Sequence, residues 1–120
     1  MKILLIEDDT FFQEFYAMKL TQQQFEVAVA SDGEEGLHKL TEFVPDLVLL
    51  DLIMPKKDGF EVLQAMGKKL LEKIPVLVFS TLGQEKEINQ AKALGARDYI
   101  DKSFFDFDKL VAKILQFKKS

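Results

Sequence analysis

Short apolar runs that stop abruptly at acids or hydroxyls set the tightest limit on what this chain can fold into. Ile3-Leu4-Leu5-Ile6 ends at Glu7-Asp8-Asp9, and Asp46-Leu47-Val48-Leu49-Leu50 ends at Asp51. Val76-Leu77-Val78-Phe79 ends at Ser80-Thr81. Phe25 to Ala30, with Val27 and Val29 alternating, and the weaker Asp98-Tyr99-Ile100-Asp101, followed by Lys102, complete a set of five. A continuous apolar run buries both of its faces, which is the pattern of a strand inside a parallel sheet rather than at a wetted surface.

Between the runs the apolar spacing becomes helical. Phe12, Phe15 or Tyr16, and Leu20 predict a first helix reaching about Gln23. Leu37, Leu40 and Phe43 predict a second, closed by Pro45, which disfavours helical backbone in the residue before it. Asp58 followed by Glu61 is a capping-box pattern opening a third helix lined by Phe60, Leu63, Met66 and Leu70. Ile88, Ala91 and Leu94 predict a fourth, ended by Gly95, and Leu110, Val111, Ile114 and Leu115 a fifth. Alternating strands and helices make an α/β domain with helices on both faces of a parallel sheet.

At 120 residues one core is expected, and eleven Phe within a 48% hydrophobic composition supply it. The absence of cysteine removes disulfides, thiolate metal sites and cysteine nucleophiles. With one histidine, His38, multi-histidine metal cages are excluded as well. A net charge of -4 argues against sequence-independent nucleic-acid binding. No apolar run approaches the roughly 18 residues of a spanning helix. The expectation is one cytoplasmic domain over residues 1–120, with no nucleic-acid or membrane partner and no output domain.

Ligands of open α/β sheets bind beyond the carboxyl ends of the strands, where strand order reverses. With the order 2-1-3-4-5, the first and third strands lie about 4.8 Å apart, so Glu7 or Asp8 faces Asp51. Carboxylates this close either share a proton or are neutralised by a cation, and their hard oxygens suit Mg²⁺. Asp9 reads as a helix cap, and His38 as an exposed helix residue without a role.

These residues carry a resemblance. Leu5-Ile6-Glu7-Asp8-Asp9 and the segment from Pro45 through Asp51-Leu52-Ile53-Met54-Pro55-Lys56-Lys57-Asp58-Gly59 resemble the receiver domain of bacterial two-component response regulators. Val78-Phe79-Ser80 and the segment Ala93 to Lys102 extend the likeness, which covers residue 2 to about 117 and is nearest the single-domain, chemotaxis-regulator type. The resemblance implies a doubly wound, flavodoxin-like three-layer sandwich.

The resemblance further implies that Asp51 accepts a phosphoryl group from a sensor histidine kinase or phosphotransfer protein. Asp8 would bind Mg²⁺ directly and Glu7 through water, with Asp51 and the backbone carbonyl of Ile53 as further ligands. Ser80 matches the hydroxyl that meets the phosphoryl group, although Thr81 stands beside it. Lys102 matches the lysine that pairs with a phosphoryl oxygen, and Tyr99 the aromatic that follows Ser80. The implied role is a signalling phosphoacceptor rather than an enzyme. Its surface of fourth helix, fifth strand and fifth helix would switch the binding of a downstream effector protein.

Three departures from the family pattern bear on this. Ser103 stands where the family places proline, and the segment Ser103 to Phe107 is one residue longer than usual. Ile53 and Leu82 flank the path of the hydrolytic water with apolar groups, predicting slow self-dephosphorylation. Phe11 lies outside the core spacing and suits either kinase docking or a lone surface position. The rivals are a pseudo-receiver that binds partners without phosphorylation and a small aspartyl phosphatase, which would want an acid where Ile53 stands. A flavodoxin-type flavin protein lacks its phosphate loop here.

Overall fold

The structure is a computed structural model that describes residues 1–54, 57–81, 84–102 and 106–117. Pro55, Lys56, Leu82, Gly83, Ser103-Phe104-Phe105 and Lys118-Lys119-Ser120 lie outside the described residues. The apolar runs form β1 (Lys2–Ile6), β2 (Glu26–Ala30), β3 (Leu47–Leu50), β4 (Val76–Ser80) and β5 (Asp98–Asp101). The helical segments form α1 (Thr10–Gln22), α2 (Gly33–Phe43), α3 (Gly59–Lys73), α4 (Glu85–Ala93) and α5 (Phe107–Leu115). All strand pairs are parallel, in the order β2-β1-β3-β4-β5, as the sequence predicts.

Each central strand divides its side chains between two cores, because successive residues of a strand point to opposite faces. Leu4, Ile6, Val48, Leu50, Val76 and Val78 meet Leu40 of α2, Val62, Leu63 and Met66 of α3 and Ala91 of α4. Ile3, Leu5, Leu47, Leu49, Leu77 and Phe79 meet Tyr16 and Leu20 of α1 and Leu110 and Ile114 of α5. Burial on both faces accounts for the unbroken apolar runs. Among the described residues, no helix is long and apolar enough to cross a membrane.

Two helix starts follow the caps read from the sequence, and Asp32 adds a third. Asp9 accepts a hydrogen bond from the Phe12 backbone N–H, Asp32 accepts one from Glu35, and Asp58 forms the full capping box with Glu61. Within α3 the expected period fails. Gly67 adopts φ 75° and ψ 162°, leaving helical geometry, so the apolar register restarts after it. Leu71 is buried as a result, while Leu70, predicted by uninterrupted spacing, is only half-buried.

The end of α2 stores strain. Val44 caps the helix in the left-handed region at φ 48°, where its branched side chain crowds the backbone. Its side chain is 61% exposed, so packing returns little. Asparagine tolerates this conformation without the entropic penalty of glycine. Val44→Asn is therefore expected to raise the unfolding free energy by about 1 kcal/mol. The readout is a higher urea midpoint at unchanged slope; an unchanged midpoint would show that the cap is unstrained.

Candidate functional site

The parallel ladder brings the candidate residues together. Asp51 N–H donates to the Ile6 carbonyl at 3.0 Å and Glu7 N–H to the Ala30 carbonyl at 2.9 Å, so the two acids follow β3 and β1 side by side. Gln13 from α1 anchors the β1 end by donating to the Glu7 carbonyl at 3.0 Å. Ser80 closes β4 fully buried, and its Oγ donates to Asp51 Oδ1 at 2.8 Å. Beyond β5, Lys102 brings Nζ to 2.5 Å from Glu7 Oε1 and 3.6 Å from Asp51 Oδ2.

Oxygens of Glu7, Asp8 and Asp51 lie within 4.8 Å of one another. Glu7 is 2% exposed, and its Oε2 is a buried atom with no hydrogen-bond partner among the described residues. Burial and the neighbouring Asp51 push the Glu7 carboxyl up to about 8, against the opposing hydrogen bond and charge of Lys102. An acid that resists ionisation beside an unpartnered oxygen is what a divalent cation would correct. The carboxylate donors fit Mg²⁺, which prefers hard oxygens and keeps several waters. A cleft of about 480 Å³, lined by Glu7, Asp8, Asp9, Phe12, Asp51, Ile53, Thr81 and Lys102, opens over the cluster.

Each remaining candidate has a definite place. Ile53 is exposed on the cleft, and its backbone N–H points to Asp51 Oδ1 at 3.4 Å. Of the two adjacent hydroxyls, Ser80 bonds Asp51, whereas Thr81 lines the open cleft. Tyr99 is turned toward β4, its hydroxyl donating to the Ser80 carbonyl at 3.3 Å. Burial, followed by the charges of Asp101, Asp51 and Glu87, pushes that phenol up to about 12. Phe11 is 70% exposed and stacks on Phe15 at 6.1 Å. His38 sits on the surface of α2 against Glu42. Leu82 and Ser103 lie outside the described residues.

Sequence reasoning missed the rings around Lys102. Its Nζ lies 5.0 Å from the Phe12 ring centroid and 5.5 Å from that of Phe79. A signal existed: aromatics at positions 12 and 16 share one helix face directly after the acids, and Phe79 immediately precedes Ser80.

Comparison with known proteins agrees with this geometry. The sequence matches the response regulator receiver domain over residues 3–115. It is 40% identical to response regulator RR06 of Streptococcus pneumoniae over 104 residues, covering 87% of this chain and 47% of that protein. It is 39% identical to the transcriptional regulatory protein CpxR of Escherichia coli over 113 residues, covering 94% of this chain and 47% of CpxR. The chain thus spans about half the length of these relatives. Among solved structures, the beryllofluoride-activated DrrB receiver domain superposes with a TM-score of 0.85 at 27% identity, covering 97% of this chain and 95% of that one. The chemotaxis protein CheY4 of Vibrio cholerae superposes with a TM-score of 0.88 at 25% identity, covering 98% of each chain. Acids just past β1 and β3, a buried hydroxyl closing β4 and a lysine after β5 sit on a sheet of this family's order, and the chain belongs to the response regulator receiver domains of two-component systems.

Proposed function

We propose that Asp51 is the phosphoacceptor of this receiver, taking a phosphoryl group from a phosphohistidine on a sensor kinase or phosphotransfer protein in the cytoplasm. The observation that carries this reading is the convergence on one carboxylate. Ser80 Oγ lies 2.8 Å from Asp51 Oδ1, Lys102 Nζ 3.6 Å from Oδ2, and Glu7 and Asp8 stand within cation-sharing distance. Mg²⁺ held by Glu7, Asp8, Asp51 and the carbonyl of Ile53 would, when bound, offset the negative charge of the acids and of the incoming group.

The chain's own residues do the rest. An Asp51 oxygen forms the new bond to phosphorus as the phosphorus–nitrogen bond breaks, and the electron pair of that bond stays on the donor imidazole. An ionised carboxylate has no proton to lose, so no histidine base is needed. Lys102 exchanges its contact with Glu7 for one with a phosphoryl oxygen, stabilising charge in the low-dielectric floor of the cleft. Ser80 redirects its hydroxyl from Asp51 to the phosphoryl group. Tyr99, bonded to Ser80, then biases the α4-β5-α5 surface between two packings that bind an effector differently.

The test is the mass of the protein after exposure to acetyl phosphate. One phosphoryl group is expected with Mg²⁺, none after chelation and none in Asp51→Asn. Absence of labelling in the unaltered chain would leave a protein-interaction module, and turnover of external phosphate esters would indicate a phosphatase. The apolar side chain of Ile53 cannot orient a hydrolytic water by hydrogen bonding, so the phosphorylated state should be long-lived. Ile53→Asn is expected to shorten its lifetime several-fold, measured by loss of the added mass; an equal lifetime removes this role.

A further inference from the structure

We infer that Phe12 is a positioning residue that holds the Lys102 ammonium over the carboxylates by presenting its ring face to the cation. Lys102 ends a flexible stem of single bonds, yet its side chain is only 6% exposed and its Nζ occupies one defined place. On one side stand Glu7 Oε1 and Asp51 Oδ2. On the other stand the rings of Phe12 and Phe79, both at cation–π distance. The two rings are tied together through Tyr16. Phe12 stacks on it at 5.8 Å and 9°, and Tyr16 meets Phe79 edge-on at 4.9 Å and 73°. Three rings from α1 and β4 thus form a continuous wall behind the ammonium.

Such a wall attracts a cation without carrying a charge of its own. A third carboxylate in its place would compete with the phosphoryl group for the ammonium. A plain aliphatic wall would fill the same space but leave the flexible stem free to swing into the cleft. Ring faces restrict where the nitrogen sits while leaving its hydrogens free to turn from Glu7 toward a phosphoryl oxygen. Phe79 is nearly fully buried in the core, so its replacement would disturb folding. Phe12 lines the cleft and is half-buried, which makes it the residue to test.

This inference rests on the phosphoacceptor reading of Asp51 for its effect on rate. In the full chain, Phe12 is replaced by 4-fluoro-, 3,5-difluoro- and 3,4,5-trifluorophenylalanine, which keep the ring's shape while draining its negative face. The Mg²⁺-dependent rate of Asp51 labelling by acetyl phosphate should fall stepwise, by about tenfold at the trifluoro ring. Phe12→Leu should match that loss, and Phe12→Trp should restore the rate. Independently of phosphorylation, the Lys102 ε-methylene protons, assigned by their absence in Lys102→Arg, should resonate upfield from ring current and move downfield in Phe12→Leu. A labelled chain whose rate is flat across the fluorinated series overturns the positioning role alone, as does an unshifted ε-methylene signal. A chain that takes no label even with phenylalanine in place overturns the phosphoacceptor reading and this role with it.

Discussion

Magnesium at about 100 times its dissociation constant is expected to add about 2.7 kcal/mol to the unfolding free energy, because the unfolded chain holds no assembled site. The folded chain keeps three acids together with Lys102 close to Glu7 and Asp51, and among the described residues Glu7 Oε2 is buried without a partner. Lys102 engages Oε1 and leaves Oε2 to a second cation. The measurement is urea unfolding with and without Mg²⁺, in the unaltered chain and in Asp8→Asn. Asp8 is exposed and packs no core, so its amide variant removes a ligand charge while sparing the fold. A stabilisation of equal size in Asp8→Asn would place the ion elsewhere, and none in the unaltered chain would contradict the acidic cluster as a metal site.

Gly59→Ala is expected to lower stability by about 1–3 kcal/mol, the usual range for overpacking, and to slow Asp51 labelling sharply. A methyl group at Gly59 would sit 2.5 Å from the Asp51 carbonyl oxygen and 2.7 Å from Leu52 Cα. Both are backbone atoms at the end of β3, and Gly59 N–H also donates to the Leu52 carbonyl at 2.9 Å. Relief therefore requires moving the segment just past β3 that carries Asp51. Gly67→Ala supplies the contrast. Its φ of 75° disfavours alanine, but no atom of the described residues lies within 4 Å of the added carbon. That variant should lose about 1–3 kcal/mol from backbone strain alone and label at the unaltered rate. Equal labelling rates in the two variants would show that the Gly59 contact does not position Asp51.

Much of this molecule was legible from residue order because its strands are buried on both faces. Runs such as Leu47 to Leu50 cannot be surface strands, and once they are paired in parallel, Glu7, Asp51 and Ser80 must emerge at one edge. Caps at Asp9 and Asp58 were equally direct, since a short acid ahead of a helical pattern satisfies free N–H groups. The break at Gly67 was not legible, because one glycine inside a helical pattern weakens a helix without dictating that it ends. Nor was Val44, whose left-handed conformation runs against its own preference and is imposed by the turn into β3. The contact of Lys102 with Phe12 and Phe79 depends on how α1 docks against β4. Periodicity tells which face of α1 is buried, but not which ring lands beside which cation.

The aromatic wall also fixes what the chain reports about itself under ultraviolet light. It has no tryptophan and two tyrosines, so its intrinsic fluorescence comes from Tyr16 and Tyr99. One of those emitters leans on the ring that flanks the lysine, and the other is bonded to the backbone of Ser80. The molecule thus carries two optical gauges beside the Asp51 carboxylate, and Tyr99→Phe would silence one to let the other be read by itself.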